Sequence, residues 1–200
     1  MNGHGVSGDM ARRNREVNEM TRFQVSSMVL ALCMPLVAGA QEGNPPAAPE
    51  TSPCDAAEYR QFDFWIGDWS VTSDGQEAGT NSIHAVHGGC ALQENWQGTG
   101  EGGISGSSFN MYDKATGKWH QTWVDASGTL LLLDGGLVGG AMVLGGQRPT
   151  RDGNGQAIHR ITWTPNPDGS VRQLWEASKD DGATWSVLFD GLYLRQAQQP

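Results

Sequence analysis

From residue 67 to residue 195 the chain repeats one device. A large apolar or aromatic side chain stands at every second position of short runs that Gly, Asp and Asn interrupt. Trp119-x-Gln121-x-Trp123, His159-x-Ile161-x-Trp163 and Val171-x-Gln173-x-Trp175 show it most clearly. A period of two belongs to a strand with one face inward and one outward. The runs predict ten strands, near residues 67–73, 80–87, 91–97, 104–112, 118–125, 129–134, 138–144, 157–164, 170–178 and 184–195. The links are short and carry hairpin chemistry, as in Lys114-Ala115-Thr116-Gly117, Asn166-Pro167-Asp168-Gly169 and Asp180-Asp181-Gly182, with glycine pairs at 135–136, 139–140 and 145–146 read as further punctuation. No link is long enough for a crossover helix, so neighbours pair antiparallel in an up-and-down meander. A meander keeps two raw edges unless it closes. The expected fold is therefore all-β, a closed antiparallel up-and-down barrel of about ten strands, with a two-sheet sandwich as the alternative.

The pattern differs ahead of the alternation. Ala56, Tyr59, Phe62 and Phe64 fall at near-helical spacing and predict a short N-terminal helix that Asp55 can cap. Residues 41–53 hold four prolines and no large apolar side chain, which reads as a tether. Residues 1–40 read as a secretory leader: Arg22 supplies the positive end, Val25 to Val37 is an apolar run too short to span a bilayer, and Ala38-Gly39-Ala40 is a small-residue cleavage site. Residues 1–19 add nothing a leader needs, so Met20 is the expected start. The bulky Leu32 before Cys33 argues against lipid attachment. The mature chain then begins at Gln41, with the barrel domain over residues 54–197, in the periplasm or outside the cell.

Composition changes the picture in two ways. Removing residues 1–40 takes away Arg12, Arg13, Arg15 and Arg22 with Asp9, Glu16 and Glu19, leaving nine basic against 19 acidic residues and a net charge of −10. So acidic a surface repels phosphate backbones and anionic lipid, which argues against nucleic-acid or membrane partners. The mature chain keeps two cysteines, Cys54 and Cys90. In an oxidising compartment a bridge between them closes a loop of 36 residues; two free thiols are the alternative.

Candidate chemistry follows from strand parity. Leu92/Glu94/Trp96, Trp119/Gln121/Trp123, His159/Ile161/Trp163 and Val171/Gln173/Trp175 each set one polar group beside large apolar neighbours on one face. If those faces point inward, Glu94, Gln121, His159 and Gln173 share an interior with Trp96, Trp119, Trp123, Trp163 and Trp175. Unpaired buried polar groups cost about 1 to 3 kcal/mol each. A polar and aromatic cavity for a small amphipathic or aromatic ligand is one explanation; the other is local pairing, each Gln or Glu accepting from a Trp N–H two residues away. Glu94, between Leu92 and Trp96, is expected to have a raised pKa unless Arg160 or Arg172 reaches it, and a raised carboxyl group suits a general acid or base, with Arg160, Arg172 or His159 as its partner. His84-x-x-His87-x-x-Cys90 has metal-binding residue types, but a spacing of three puts the histidines on opposite faces of a strand. The chain has no G-x-S-x-G elbow and no phosphate-cradling loop before a helix, and no cofactor is assigned. Ser178-x-Asp180-x-Gly182-x-Thr184-Trp185 fits the Asp-box hairpin of sialidase propellers; a single copy reads as a turn device, not as glycan chemistry.

Gly67-Asp68-Trp69, opening the first strand after a helix, resembles the G-x-W signature of the calycin barrels, the lipocalins and fatty-acid-binding proteins. The longer run Phe62 to Trp69, with Gly89 to Trp96, Tyr112-Asp113, Trp119 to Asp125 and Trp163 to Tyr193, resembles a family of secreted bacterial domains of unknown function, number 1579. The likeness covers most of residues 60–195. It implies a barrel, with Trp69 closing one end and Arg195 packed across it, and it carries no activity. By the same analogy, since some related barrels hold haem through one histidine, His159 is a candidate axial ligand.

Overall fold

The structure, a computed structural model, describes residues 52–197. The expected leader, and the tether as far as Thr51, lie outside these residues. Ten strands form a closed barrel: β1 (Gly67–Ser73), β2 (Gln76–Val86), β3 (Ala91–Gly98), β4 (Ser105–Asp113), β5 (Lys118–Asp125), β6 (Leu130–Val138), β7 (Ala141–Pro149), β8 (Gln156–Pro165), β9 (Val171–Ser178) and β10 (Ser186–Arg195). Every strand pairs antiparallel with its neighbour in the chain, and β1 closes on β10 with Trp69 opposite Arg195 and Val71 opposite Tyr193. Closure leaves no edge strand, so the sandwich alternative falls.

The strand boundaries differ from the sequence pattern in the glycine-rich stretch. Gly135 and Gly136 lie inside β6, and the turn falls at Gly139-Gly140, with φ of +58° and +88°. Positive φ at both central residues is what a two-residue type I′ hairpin turn requires. Gly135 is needed for a different reason: a Cβ there would stand 2.0 Å from the carbonyl oxygen of Val143 on β7.

The expected helix forms as two short 3₁₀ turns, Ala57–Arg60 and Asp63–Trp65. Asp55 does not cap them. Ala56 takes that position, without a side-chain hydrogen bond. Apolar spacing rather than capping sets this segment, because Phe62 and Trp65 are fully buried, stacked with ring centroids 4.8 Å apart, and wedged into one end of the barrel. There they meet Trp119 and Trp163. Trp69 donates to the Trp65 carbonyl at 2.9 Å, and the Arg195 guanidinium lies 4.4 Å over the Trp69 ring while donating to the Ile66 carbonyl. Cys54 and Cys90 are bridged, which ties the segment before the plug to the turn between β2 and β3. A bridged pair is at home in an oxidising compartment. Ser52, from the end of the expected tether, donates to the Gly88 carbonyl.

The hairpin at residues 178–185 has the expected wiring. Asp180 accepts the Thr184 backbone N–H at 2.8 Å and its hydroxyl at 2.6 Å, and these bonds hold its carboxyl down at about 2. The Trp185 indole donates to the Gly182 carbonyl, while Arg160 stacks 4.0 Å over its ring on the outer surface.

Candidate ligand-binding site

Alternation along the strands sorts the interior into three levels. The plugged end is aromatic and close-packed, built from Phe62, Trp65, Trp69, Trp119 and Trp163. Midway lies a polar belt, faced by Leu131, Leu133, Leu144 and Ile161 from β6, β7 and β8. At the far end the barrel opens into a cavity of about 250 Å³, walled by Trp96, Trp123, Trp175, Phe189, Ile104 and Leu188, with Glu94, Gln121, Gln173 and Tyr193 among its polar lining and Asp125 nearer the mouth. Gly106 makes room for this mouth: a Cβ there would lie 2.3 Å from the Trp123 ring.

The belt is one connected chain of hydrogen bonds. Gln121 donates to Asn110 Oδ1 at 2.8 Å and Asn110 donates to Ser108 Oγ at 2.8 Å. The Ser108 hydroxyl donates to Glu94 Oε2, and Asn81 Nδ2 donates to Glu94 Oε1 at 2.7 Å. Asn81 Nδ2 also lies 3.4 Å from the Tyr193 hydroxyl, which donates in turn to Gln173 Oε1. Asn81 Oδ1 is the one atom of the belt that is buried without a partner among the described residues. Sequence parity identified Glu94, Gln121 and Gln173. It missed Asn81, Ser108, Asn110 and Tyr193, whose strands lack the flanking Trp that drew attention to the others; the signal available was their alternation with Ile83, Tyr112 and Arg195.

Two expectations are corrected here. The Trp N–H groups do not pair with the belt amides: Trp119 donates to Gln61, Trp123 to Asp125 and Trp175 to His159, while the Trp163 N–H has no partner among the described residues. The belt groups mostly satisfy one another, so burial of amides does not by itself demand a ligand. Nor does an arginine reach Glu94. Arg160 pairs with Glu176 at 3.0 Å and Arg172 with Asp190 at 2.6 Å, both on the outer face. Strand parity explains this, since each arginine is one residue away from an inward position.

Glu94 is thus a buried carboxyl group with neutral partners only. Burial pushes its pKa up to about 7 against the pull of the Ser108 and Asn81 hydrogen bonds. Burial, and the charge of Glu94 beside it, hold the Tyr193 hydroxyl well above its usual value, so it remains a donor. Asp125 behaves in the opposite sense: burial raises it, but bonds from Ser127, Trp123 and Thr129 outweigh that and keep it below the usual carboxylate range.

Of the expected site residues, Glu94, Trp96, Gln121, Trp123, Gln173 and Trp175 come together around the cavity. Trp119 and Trp163 pack at the plugged end. His159 faces inward behind Trp175, whose N–H occupies its Nδ1 at 3.1 Å, and is not among the cavity's lining residues. Burial, and secondarily Arg148, lower its pKa. With Nδ1 accepting, the ring proton sits on Nε2 and leaves no lone pair for a metal, so His159 does not fit the axial position of a haem. On the outer face Thr122, His120 and Asp134 form a relay with both distances 2.8 Å, in the order of a nucleophile, base and orienting acid. The neighbouring strands pair along their length, which leaves no free backbone N–H groups to make an oxyanion hole there.

Fold and site together define a closed ten-stranded antiparallel barrel, plugged at one end, with an aromatic cavity over an acid-bearing floor at the other. The chain matches no family model and no curated protein.

Proposed function

We propose that this is an exported binding protein, periplasmic or secreted, that takes up a small amphipathic or aromatic molecule through the open end of the barrel. The observation that carries the reading is the cavity itself. Aromatic walls stand above a floor of directional polar groups, the composition that binds a ligand's body by area and orients it by hydrogen bonds. Trp96, Trp123, Trp175 and Phe189 supply the walls; Glu94, Gln121, Gln173 and Tyr193 supply the polar contacts. The leader-like residues 1–40 and the bridged cysteines support export. Membership of the calycin-like secreted family 1579 is part of the proposal; the Trp69–Arg195 stack at the plugged end supports it. Native mass spectrometry of protein purified from its own host tests the reading, and should find a chain beginning at Gln41 with a small molecule attached. A chain that begins at Met1 or Met20 removes the export claim. Protein that carries no added mass, and whose melting temperature no small-molecule library raises, removes the binding claim.

One observation favours a second reading, an enzyme with Glu94 as general acid or base: its proton is exchangeable near neutral pH at the floor of a cavity. It ranks second because the other carboxyl group lining the cavity, Asp125, is engaged by Ser127, Trp123 and Thr129, and no serine, cysteine, histidine or lysine among the described residues lines it.

A further inference from the structure

We infer that the cavity selects a small organic cation, an ammonium or methylated ammonium on an apolar or aromatic body, with its charge held between Glu94 and the rings of Trp96, Trp123 and Trp175. The inference rests on reading the cavity as a ligand site, and adds the chemical class of the ligand. No lysine or arginine among the described residues lines the cavity, whereas two carboxyl groups do. Glu94 keeps unused acceptor capacity, because its oxygens meet only one amide and one hydroxyl. Above this floor stand three indoles, whose faces attract cations more strongly than other aromatic rings do. An anion would meet the Asp125 charge and keep Glu94 protonated, whereas a cation is the guest that gains from an ionised Glu94. The mature net charge of −10 also draws cations toward the mouth.

Such a ligand binds the ionised form of Glu94 and expels its proton, so affinity should rise from pH 5 to pH 8. The other titratable groups facing this space act differently. Asp125 on β5 is held ionised by its turn, Tyr193 on β10 stays protonated, and His159 on β8, behind Trp175 and near Arg148, is pushed toward its neutral form. The charged groups beside them on β8, β9 and β10 pair outside the barrel, as Arg160–Glu176 and Arg172–Asp190.

The test is isothermal titration calorimetry on the mature, disulfide-intact protein with 2-phenylethylammonium and 2-phenylethanol, which share a shape and differ in charge. At pH 8 the ammonium should bind at least tenfold more tightly than the alcohol. That advantage, read as the ratio of the two affinities, should shrink at pH 5 and disappear in Glu94→Gln. Equal binding of the two at pH 8 overturns the inference and leaves the cavity as a binding site for neutral molecules. An advantage that survives in Glu94→Gln overturns the role of Glu94, and no binding of either probe at millimolar concentration removes the cavity reading as well. If Glu94→Gln does not fold, the wild-type pH series decides the question alone.

Discussion

Glu94 is a carboxyl group buried at the floor of the cavity with no arginine paired to it among the described residues, and the sign of its effect on stability follows from that. Its folded pKa, about 7, lies above the ordinary value of 4.5, so the folded chain holds a proton that the unfolded chain releases. Stability from this group is complete below about pH 4.5 and is lost as pH rises through 7, by about 3 kcal/mol in all. Glu94→Gln keeps the shape and one acceptor, removes the charge, and reverses the bond to Ser108, its amide donating to the hydroxyl that donated to the carboxylate. In urea melts the variant should therefore be more stable than wild type at pH 8, by roughly 2 to 3 kcal/mol, and level with it at pH 4.5. A variant weaker than wild type at pH 8 would mean that the ionised carboxylate is a structural partner after all. At this scale the sequence is readable by parity: Glu94, Gln121 and Gln173 sit two residues from a Trp and face inward as that spacing requires. What parity does not carry is partner choice. Gln121 bonds to Asn110 on β4 rather than to either Trp beside it, because the partner is set by strand register across the sheet, which a single strand does not encode.

At the scale of elements, the hairpins with Asx chemistry, residues 113–117, 166–170 and 178–185, lie where their sequences place them, because the aspartate that makes each turn also marks it. The glycine-only stretch behaves otherwise. Nothing in the residue types separates the pair at 135–136 from the pair at 139–140, and only the backbone assigns one to a strand and the other to a turn. The two can be told apart by substitution. Gly140→Ala meets open space, so its effect is the backbone penalty of a positive φ, about 1 to 2 kcal/mol of stability in a thermal melt. Gly135→Ala has to displace a carbonyl of β7, and should lower stability further and weaken the β6–β7 pairing in hydrogen exchange.

Over the whole molecule the plug and the bridge are at one end and the cavity at the other. The disulfide closes a 36-residue loop, which on the chain-entropy account stabilises the fold by about 4 kcal/mol. Reduction should therefore lower the urea midpoint by a corresponding amount while leaving the affinity for 2-phenylethylammonium unchanged under native conditions; a large fall in affinity would mean that the plug shapes the cavity from a distance. Closure itself was legible because a ten-strand meander has few other ways to hide its edges. That one end is shut and the other open was not, since it depends on where the residue 57–65 segment docks. The same polarity divides the eight tryptophans into optical classes. Trp65, Trp69, Trp119 and Trp163 are wholly enclosed, Trp96, Trp123 and Trp175 ring the mouth, and Trp185 lies on the outer hairpin. Emission should resolve into a blue component that acrylamide does not quench and a red component that it does. A guest entering the cavity should alter the second alone, so each end of the barrel reports its own state in its own colour.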